Sequence, residues 1–582
     1  MSQPPQQGFG APYEPRPGVY GDPGQPQPGP QPGPYGQQPG AYGQPPQPPY
    51  GQQPGAYGQP PQPPYGHPPQ PPTAPYGRPQ PQPPNRPSGG RSRGRLVGLV
   101  AAVLAGVLVI GAGVWFVVGG DDGPDGKKPV AKGTTEPEQP GAGSSRRMTP
   151  AAEAAEINKG REEGEAKVRW IQKNGVDLPL GAAALGPWIT GGTVAKAMHR
   201  TVSGYSLEDG SQKWSLRLPT DVCAAPTRPT ADGKIVIGLL ADTSADPNCD
   251  TLQMIDLATG EAGWSVTIDR AVHNDDLRFV IMAISGDVVT IGGLRRAEAY
   301  RVSDGKHLWG KLPGSCEAEG FAGGAVMLAS VVCPAQPKGA TDREVRRIDP
   351  VTGRTLWTYK VRKDWNVDAF YSVDPPVIFL RNGPLVGGTS AIAVLNDDGT
   401  ARSQPVPGGD TLEGLCPGKE RELGWNLDIC TGAAVDTETD TLYVTTKRRP
   451  VGRTERRPVV RWFTNDVVAF DMSTGKKKWK VPSPATQTLM PLRVEGGKVL
   501  MYLSPPDPKT KGVGGGIMAL GPQGGTPQPI LRHPASAAAT ERTFDEPIVL
   551  HADGRSLLMI PQVSGDTDEE ELERRTMIAF GD

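Results

Sequence analysis

Six cysteines carry most of the chemistry this chain could do, and all lie after residue 220. They fall into local pairs: Cys223 with Cys249, Cys316 with Cys333, and Cys416 with Cys430. A zinc site would want cysteines two to four residues apart, with companion histidines. That spacing is missing, and the chain has only six histidines. The clustering points instead to three local disulfides, one assignment among the several that six cysteines allow. No H-E-x-x-H or P-loop pattern occurs, so zinc-protease and nucleotide chemistry have no local signature. Gly512-Val513-Gly514-Gly515-Gly516 is not followed by a helical pattern. A phosphate cradle needs that helix, so the stretch reads as a loop. Lys447, Arg448, Arg449, Arg453, Arg456, Arg457 and Arg461 crowd a stretch whose one acid is Glu455. It reads as a solvated hairpin tip, or as a loop that meets anionic lipid or wall polymer. The formal net charge of −1 gives no global pull towards nucleic acid.

The elements that would position these residues are set by a repeat. Asp349-Pro350-Val351-Thr352-Gly353-Arg354-Thr355-Leu356-Trp357 reads as a strand ending at an Asp, a tight turn and a returning strand. Gly353 accepts the positive φ that such a turn demands. The same grammar runs from Gly210 to Trp214, Gly260 to Trp264, Gly305 to Trp309 and Gly475 to Trp479. The tryptophans at 214, 264, 309 and 357 are spaced by 50, 45 and 48 residues. Degenerate copies occupy Gly399, with Val406 near the Trp slot, and Gly521, running to about Ile530. Units of this length built from short strands predict four-stranded propeller blades. The tryptophans are expected to fill the gap between neighbouring blades. An eighth unit is split. Met577, Ile578 and Phe580 supply the strand before a turn, and Val168, Trp170 and Ile171 supply an outer strand without a partner. The two halves are expected to pair and close an all-β, eight-bladed propeller over 166–582.

This motif resembles the repeat of the pyrroloquinoline-quinone-like (PQQ-like) propellers. That family includes quinoprotein alcohol dehydrogenases and the outer-membrane assembly lipoprotein of Gram-negative bacteria. In the quinone enzymes the resemblance would imply a cofactor between a Trp and a ring of two adjacent, disulfide-bonded cysteines, with Ca²⁺ and an Asp base. No two cysteines are adjacent here, the closest being Cys416 and Cys430, 14 apart. No catalytic, cofactor or metal role therefore transfers to any residue, and no cofactor is expected.

The first 95 residues are mostly Pro, Gly, Gln and Tyr, with too little to bury to offset chain entropy. A 15-residue stretch from Pro34 to Pro48 repeats letter for letter from Pro49 to Pro63. The tail is expected to be disordered, either a spacer or a polyproline-type ligand. Residues 96–118 carry no charge over 23 positions. At 1.5 Å per residue they reach roughly 35 Å, enough for one membrane crossing. Arg86, Arg91, Arg93 and Arg95 precede the span, which orients the tail to the cytoplasm and the propeller outside. Gly98, Ala102 and Gly106 share one helix face, where two such helices could meet. Residues 119–165 read as a linker, with a short helix over the Ala- and Glu-rich part. Deleting 151–160 is expected to leave the propeller intact. The Gly- and Pro-rich composition and the tail resemble actinobacterial membrane proteins.

The expected function is a binding or scaffolding module at the cell envelope, with a protein or wall-polymer partner and no nucleic acid. A PQQ-dependent dehydrogenase and a ligand-sensing ectodomain acting through a partner are the alternatives.

Overall fold

Apolar runs between glycine-marked turns become strands throughout. In a computed structural model, the residues described are 148–582 except 177, 179–181, 245–246, 270–276, 278–279, 294–295, 338–339, 385–387, 414–425, 429, 452–461 and 564–566. The expected tail, membrane span and first part of the linker lie outside them. Among the described residues no helix is long and apolar enough to cross a membrane.

Eight antiparallel four-stranded sheets follow one another along the chain. The first strands of the blades, in order, are Ala184–Thr190, Val222–Ala224, Ile281–Ser285, Glu317–Ala322, Trp365–Val373, Ala433–Asp436, Leu489–Glu495 and Ile548–Ala552. Burial grades across each blade. Middle strands such as Val288–Gly293 and Thr441–Thr445 are buried at every position, hence their unbroken apolar or small residues. Outer strands such as Thr355–Lys360 alternate between exposed and half-buried, the period-two pattern of a sheet with one covered face.

The eighth blade is assembled from both ends of this body. Lys167–Lys173 pairs antiparallel with Arg575–Gly581, with Val168 opposite Phe580, Trp170 opposite Ala579 and Ile171 opposite Ile578. Every junction between neighbouring blades carries an apolar cluster, so the ring is continuous. Trp170, Met577 and Met559 of the eighth blade pack with Ala184, Val194 and Leu207 of the first. Clusters of the same kind join the other seven junctions.

The repeated tryptophan and glycine meet across these junctions. The indole of Trp170 lies on Gly210 of the next blade, Trp214 on Gly260, Trp264 on Gly305, Trp309 on Gly353 and Trp357 on Gly399. A methyl group on Gly260 would come within 2.4 Å of the Trp214 ring, and φ there is +78°. The slot therefore needs glycine twice over, for backbone conformation and for space. The indole N–H donates to the carbonyl three residues before the glycine: Trp170 to Leu207, Trp264 to Val302 and Trp309 to Pro350. Trp214 and Trp357 make the same stack with no hydrogen bond on Nε1.

Two degenerate units solve the junction differently from expectation. Val406 is 65% exposed and is not in the slot. The backbone at Gln404 and Pro405 covers Gly475 instead. Ser403 Oγ donates to the carbonyl of Met472, three residues before that glycine, where an indole would have donated. Trp479 of the sixth blade stacks on Gly524 of the seventh and donates to the Pro522 carbonyl, so Gly521 is not the docking glycine.

The linker helix is also part of the ring. Pro150–Lys159 is capped by Thr149, whose hydroxyl accepts the Ala152 N–H. Ala154 and Ile157 pack into the cluster of the seventh and eighth blades. Asn158 clamps Val168 by accepting its N–H and donating to its carbonyl, both at 2.9 Å. Buried Glu153 pairs with Arg575 and Lys173. Residues 151–160 therefore brace the closing strand, and their deletion is now expected to cost stability, against the expectation from the sequence. The reason escaped sequence reading because the bracing contacts lie outside the repeat.

Candidate functional site

First strands from several blades converge on the ring's axis, and there the chain departs from its repeat. The connection between the fifth and sixth blades sends Asn426, Leu427 and Asp428 across the centre. Asn426 Oδ1 accepts the Met282 N–H of the third blade at 2.8 Å, and its Nδ2 donates to the Ala225 carbonyl beside the second at 2.7 Å. The Leu427 carbonyl accepts the Phe370 N–H of the fifth blade at 2.7 Å. Asp428 accepts the Thr227 hydroxyl at 2.7 Å and the Gly323 N–H at 3.3 Å. These three residues form a crossbar tied to blades two to five. Sequence reading missed it; its one signal was the 73-residue step from Val406 to Trp479, which had room for an insertion.

Beside the crossbar lies a cavity of about 560 Å³, walled by backbone and small apolar side chains from blades one, two and five to eight. A smaller cavity of about 150 Å³ shares Arg228, Tyr371, Ser372 and Asp428 with it. These four residues mark the waist between the two spaces. Burial pushes the Asp428 carboxyl above the usual carboxylate range, against the opposing pull of the Thr227 hydroxyl and the Arg228 charge. Burial, with the charges of Asp368 and Glu413, pushes the Tyr371 phenol up as well. Arg493 also lines the larger cavity, but its guanidinium is held by the His551 carbonyl and by Glu495.

A second constellation has the look of a hydrolase and none of the access. His533 Nδ1 is 2.9 Å from Glu541 Oε1 and its Nε2 is 2.6 Å from Ser556 Oγ. Tyr502 donates to the same Glu541 oxygen at 2.8 Å. His533, Glu541 and Ser556 are each at most 1% exposed, and the His533 ring stacks on Phe580 at 3.8 Å. A nucleophile needs a substrate beside it, and this serine faces packed protein between the seventh and eighth blades. The network is a buried polar brace.

The sequence-derived site residues fall into separate groups. The tryptophans and glycines build the blade junctions and do not meet at the axis. Cys223–Cys249 and Cys316–Cys333 are disulfides within the second and fourth blades. Cys430 is also disulfide-bonded, while Cys416 lies outside the described residues. Cys316, Cys333 and Glu344 stand close together, but two sulfurs joined to each other offer no thiolates to a metal. Of the basic stretch, Arg448 pairs with Glu413 and Glu546, and Arg449 makes a two-pronged pair with Asp466 at 2.8 and 2.9 Å. Those two cations are committed within the protein; Arg453, Arg456, Arg457 and Arg461 lie outside the described residues. The fit to a quinone is poor. The bonded cysteines stand 26 and 17 residues apart, not side by side.

A family model described as outer membrane protein assembly factor BamB matches residues 161–315 and 250–407. No curated protein matches the chain. Among solved structures, BamB from Moraxella catarrhalis aligns at 15% identity over 70% of this chain and 99% of its own, with a TM-score of 0.35. Quinohemoprotein alcohol dehydrogenases align similarly. The enzyme from Comamonas testosteroni does so at 13% identity over 72% of this chain and 76% of its own, TM-score 0.38. The one from Pseudomonas putida HK5 does so at 14% over 75% and 83%, TM-score 0.37. Likenesses of this size say nothing about activity.

Proposed function

We propose that this PQQ-like β-propeller protein is a single-pass membrane protein that presents its ring outside the cytoplasm as a binding or scaffolding module. The observation that carries the reading is the crossbar on the axis. Residues 426–428 tie four blades together by backbone and side-chain hydrogen bonds, and a walled cavity remains beside them. A site on rigid elements, concave and largely apolar with a few convergent polar groups, is the usual build of a binding site. Two local disulfides support an oxidising compartment. The uncharged run over 96–118, with arginines before it, supports the anchor and its orientation. The partner is a protein or a wall polymer.

The test is short-reach crosslinking of the full-length chain in intact cells, followed by mapping of the adducts. The expected result is a discrete adduct whose crosslinks fall on propeller residues. In parallel, the purified chain is titrated with PQQ and Ca²⁺ and assayed for dye-linked alcohol oxidation. Stoichiometric quinone binding with turnover, and no adduct, would replace the binding reading with the dehydrogenase one.

A further inference from the structure

We infer that the axial cavity binds a small hydroxy acid, of the size and chemistry of a uronic acid sugar, with its carboxylate on Arg228 and its hydroxyls on Tyr371 and Asp428. Arg228 makes no hydrogen bond among the described residues, although it stands at the waist shared by both cavities. A guanidinium with its donors unspent on a cavity wall is matched best by a carboxylate, which it grips with two parallel bonds. The other cation on the wall, Arg493, is already spent on Glu495 and His551. Arg228 is thus the cation of the described lining whose donors make no hydrogen bond among the described residues, although its charge also acts on Asp428.

The groups around it select what else the ligand carries. Tyr371 shares the waist and stays a neutral phenol, which both donates and accepts. Asp428 is positioned by Thr227 and Gly323, so its carboxyl is set before any ligand arrives. Its burial pushes the carboxyl above the usual carboxylate range, which lowers the cost of protonating it beside an anionic ligand. Donors and acceptors side by side are what a ring of hydroxyls requires. A cavity of about 560 Å³ admits a monosaccharide acid with its waters, or a disaccharide acid. The crossbar sets the floor, so such a ligand would touch several blades at once and rigidify the axis.

This inference rests on the reading of the ring as a binding module, but its test does not depend on location or on a macromolecular partner. Purified full-length chain in detergent is titrated with glucuronate by calorimetry, with glucose and methyl glucuronate as controls. Glucuronate is expected to bind and both neutral sugars to bind at least about tenfold more weakly, the scale of one charged hydrogen-bonding contact. Arg228→Gln, an exposed position that should fold normally, is expected to lose that preference. Tyr371→Phe should weaken glucuronate and glucose alike. No glucuronate binding by the wild-type chain, equal binding of glucose, or an unchanged preference in Arg228→Gln would each overturn the assignment. None of those results touches the crosslinking outcome, so the broader reading stands or falls separately.

Discussion

A glycine under an indole is the unit from which each junction is made. It has two separable costs when changed. Gly210 and Gly191 both have positive φ, +71° and +49°, but only Gly210 lies under a ring, that of Trp170. Gly191→Ala should therefore lose about 1 kcal/mol for backbone conformation alone. Gly210→Ala should lose clearly more, because a methyl group would sit 2.5 Å from the indole. Urea unfolding of the two variants checks this, and equal losses would show that the ring can step aside. Lys196 makes a different prediction. It is buried in the first blade, and the bond shown for its Nζ is to Thr576 Oγ1 at 2.6 Å across the closing junction. Burial pushes its pKa down to about 7 from 10.5. Between those values the unfolded chain holds a proton that the folded protein has lost, so stability rises with pH across that window and the penalty is full below it. Lys196→Met should be more stable than wild type at pH 6.5 by roughly a few kcal/mol, with the gap narrowing by pH 9.5. A gap that ignores pH would contradict the assignment. Neither residue's energetics was legible from the chain alone. The glycine was placed by its period, while Lys196 sits in a strand pattern that gives no hint that its neighbour supplies no carboxylate.

Strands and turns were legible because they repeat, and the elements that do not repeat were the ones missed. The pairing of Lys167–Lys173 with Arg575–Gly581 followed from each end lacking what the other supplies. The brace from Pro150–Lys159 did not, because a short helix rich in Ala and Glu looks the same whether it docks or not. Its docking rests on Asn158, which satisfies both backbone groups of Val168. Asn158→Ala should cost about 1–3 kcal/mol by leaving them short of partners. Trp170→Ala, at 4% exposure, should cost about 3–5 kcal/mol. Melting of these variants beside a deletion of 166–172 ranks the closure. The deletion must be the most damaging, since it opens two sheet edges; a deletion that melts like wild type would mean the strand is not part of the ring. The crossbar was illegible for the same reason as the helix. Asn426 and Asp428 are ordinary loop residues until the topology brings blades two to five around them.

At the scale of the whole molecule the proposal is a ring outside the cytoplasm on one apolar span, which would put the proposed binding site and the disulfides in the same compartment. The sequence offers a direct handle on that claim. No lysine precedes residue 127, so lysine labelling reports on the part after the span and is silent on the tail. Lys159 is among the exposed lysines of the folded body, with its side chain 73% accessible. The decisive measurement is labelling of intact, wall-stripped cells with a membrane-impermeant amine reagent, followed by peptide mapping of the full-length chain. The account predicts modification of Lys159 in intact cells to the same extent as after permeabilisation. Modification of Lys159 only after the membrane is breached would put the ring in the cytoplasm and contradict it.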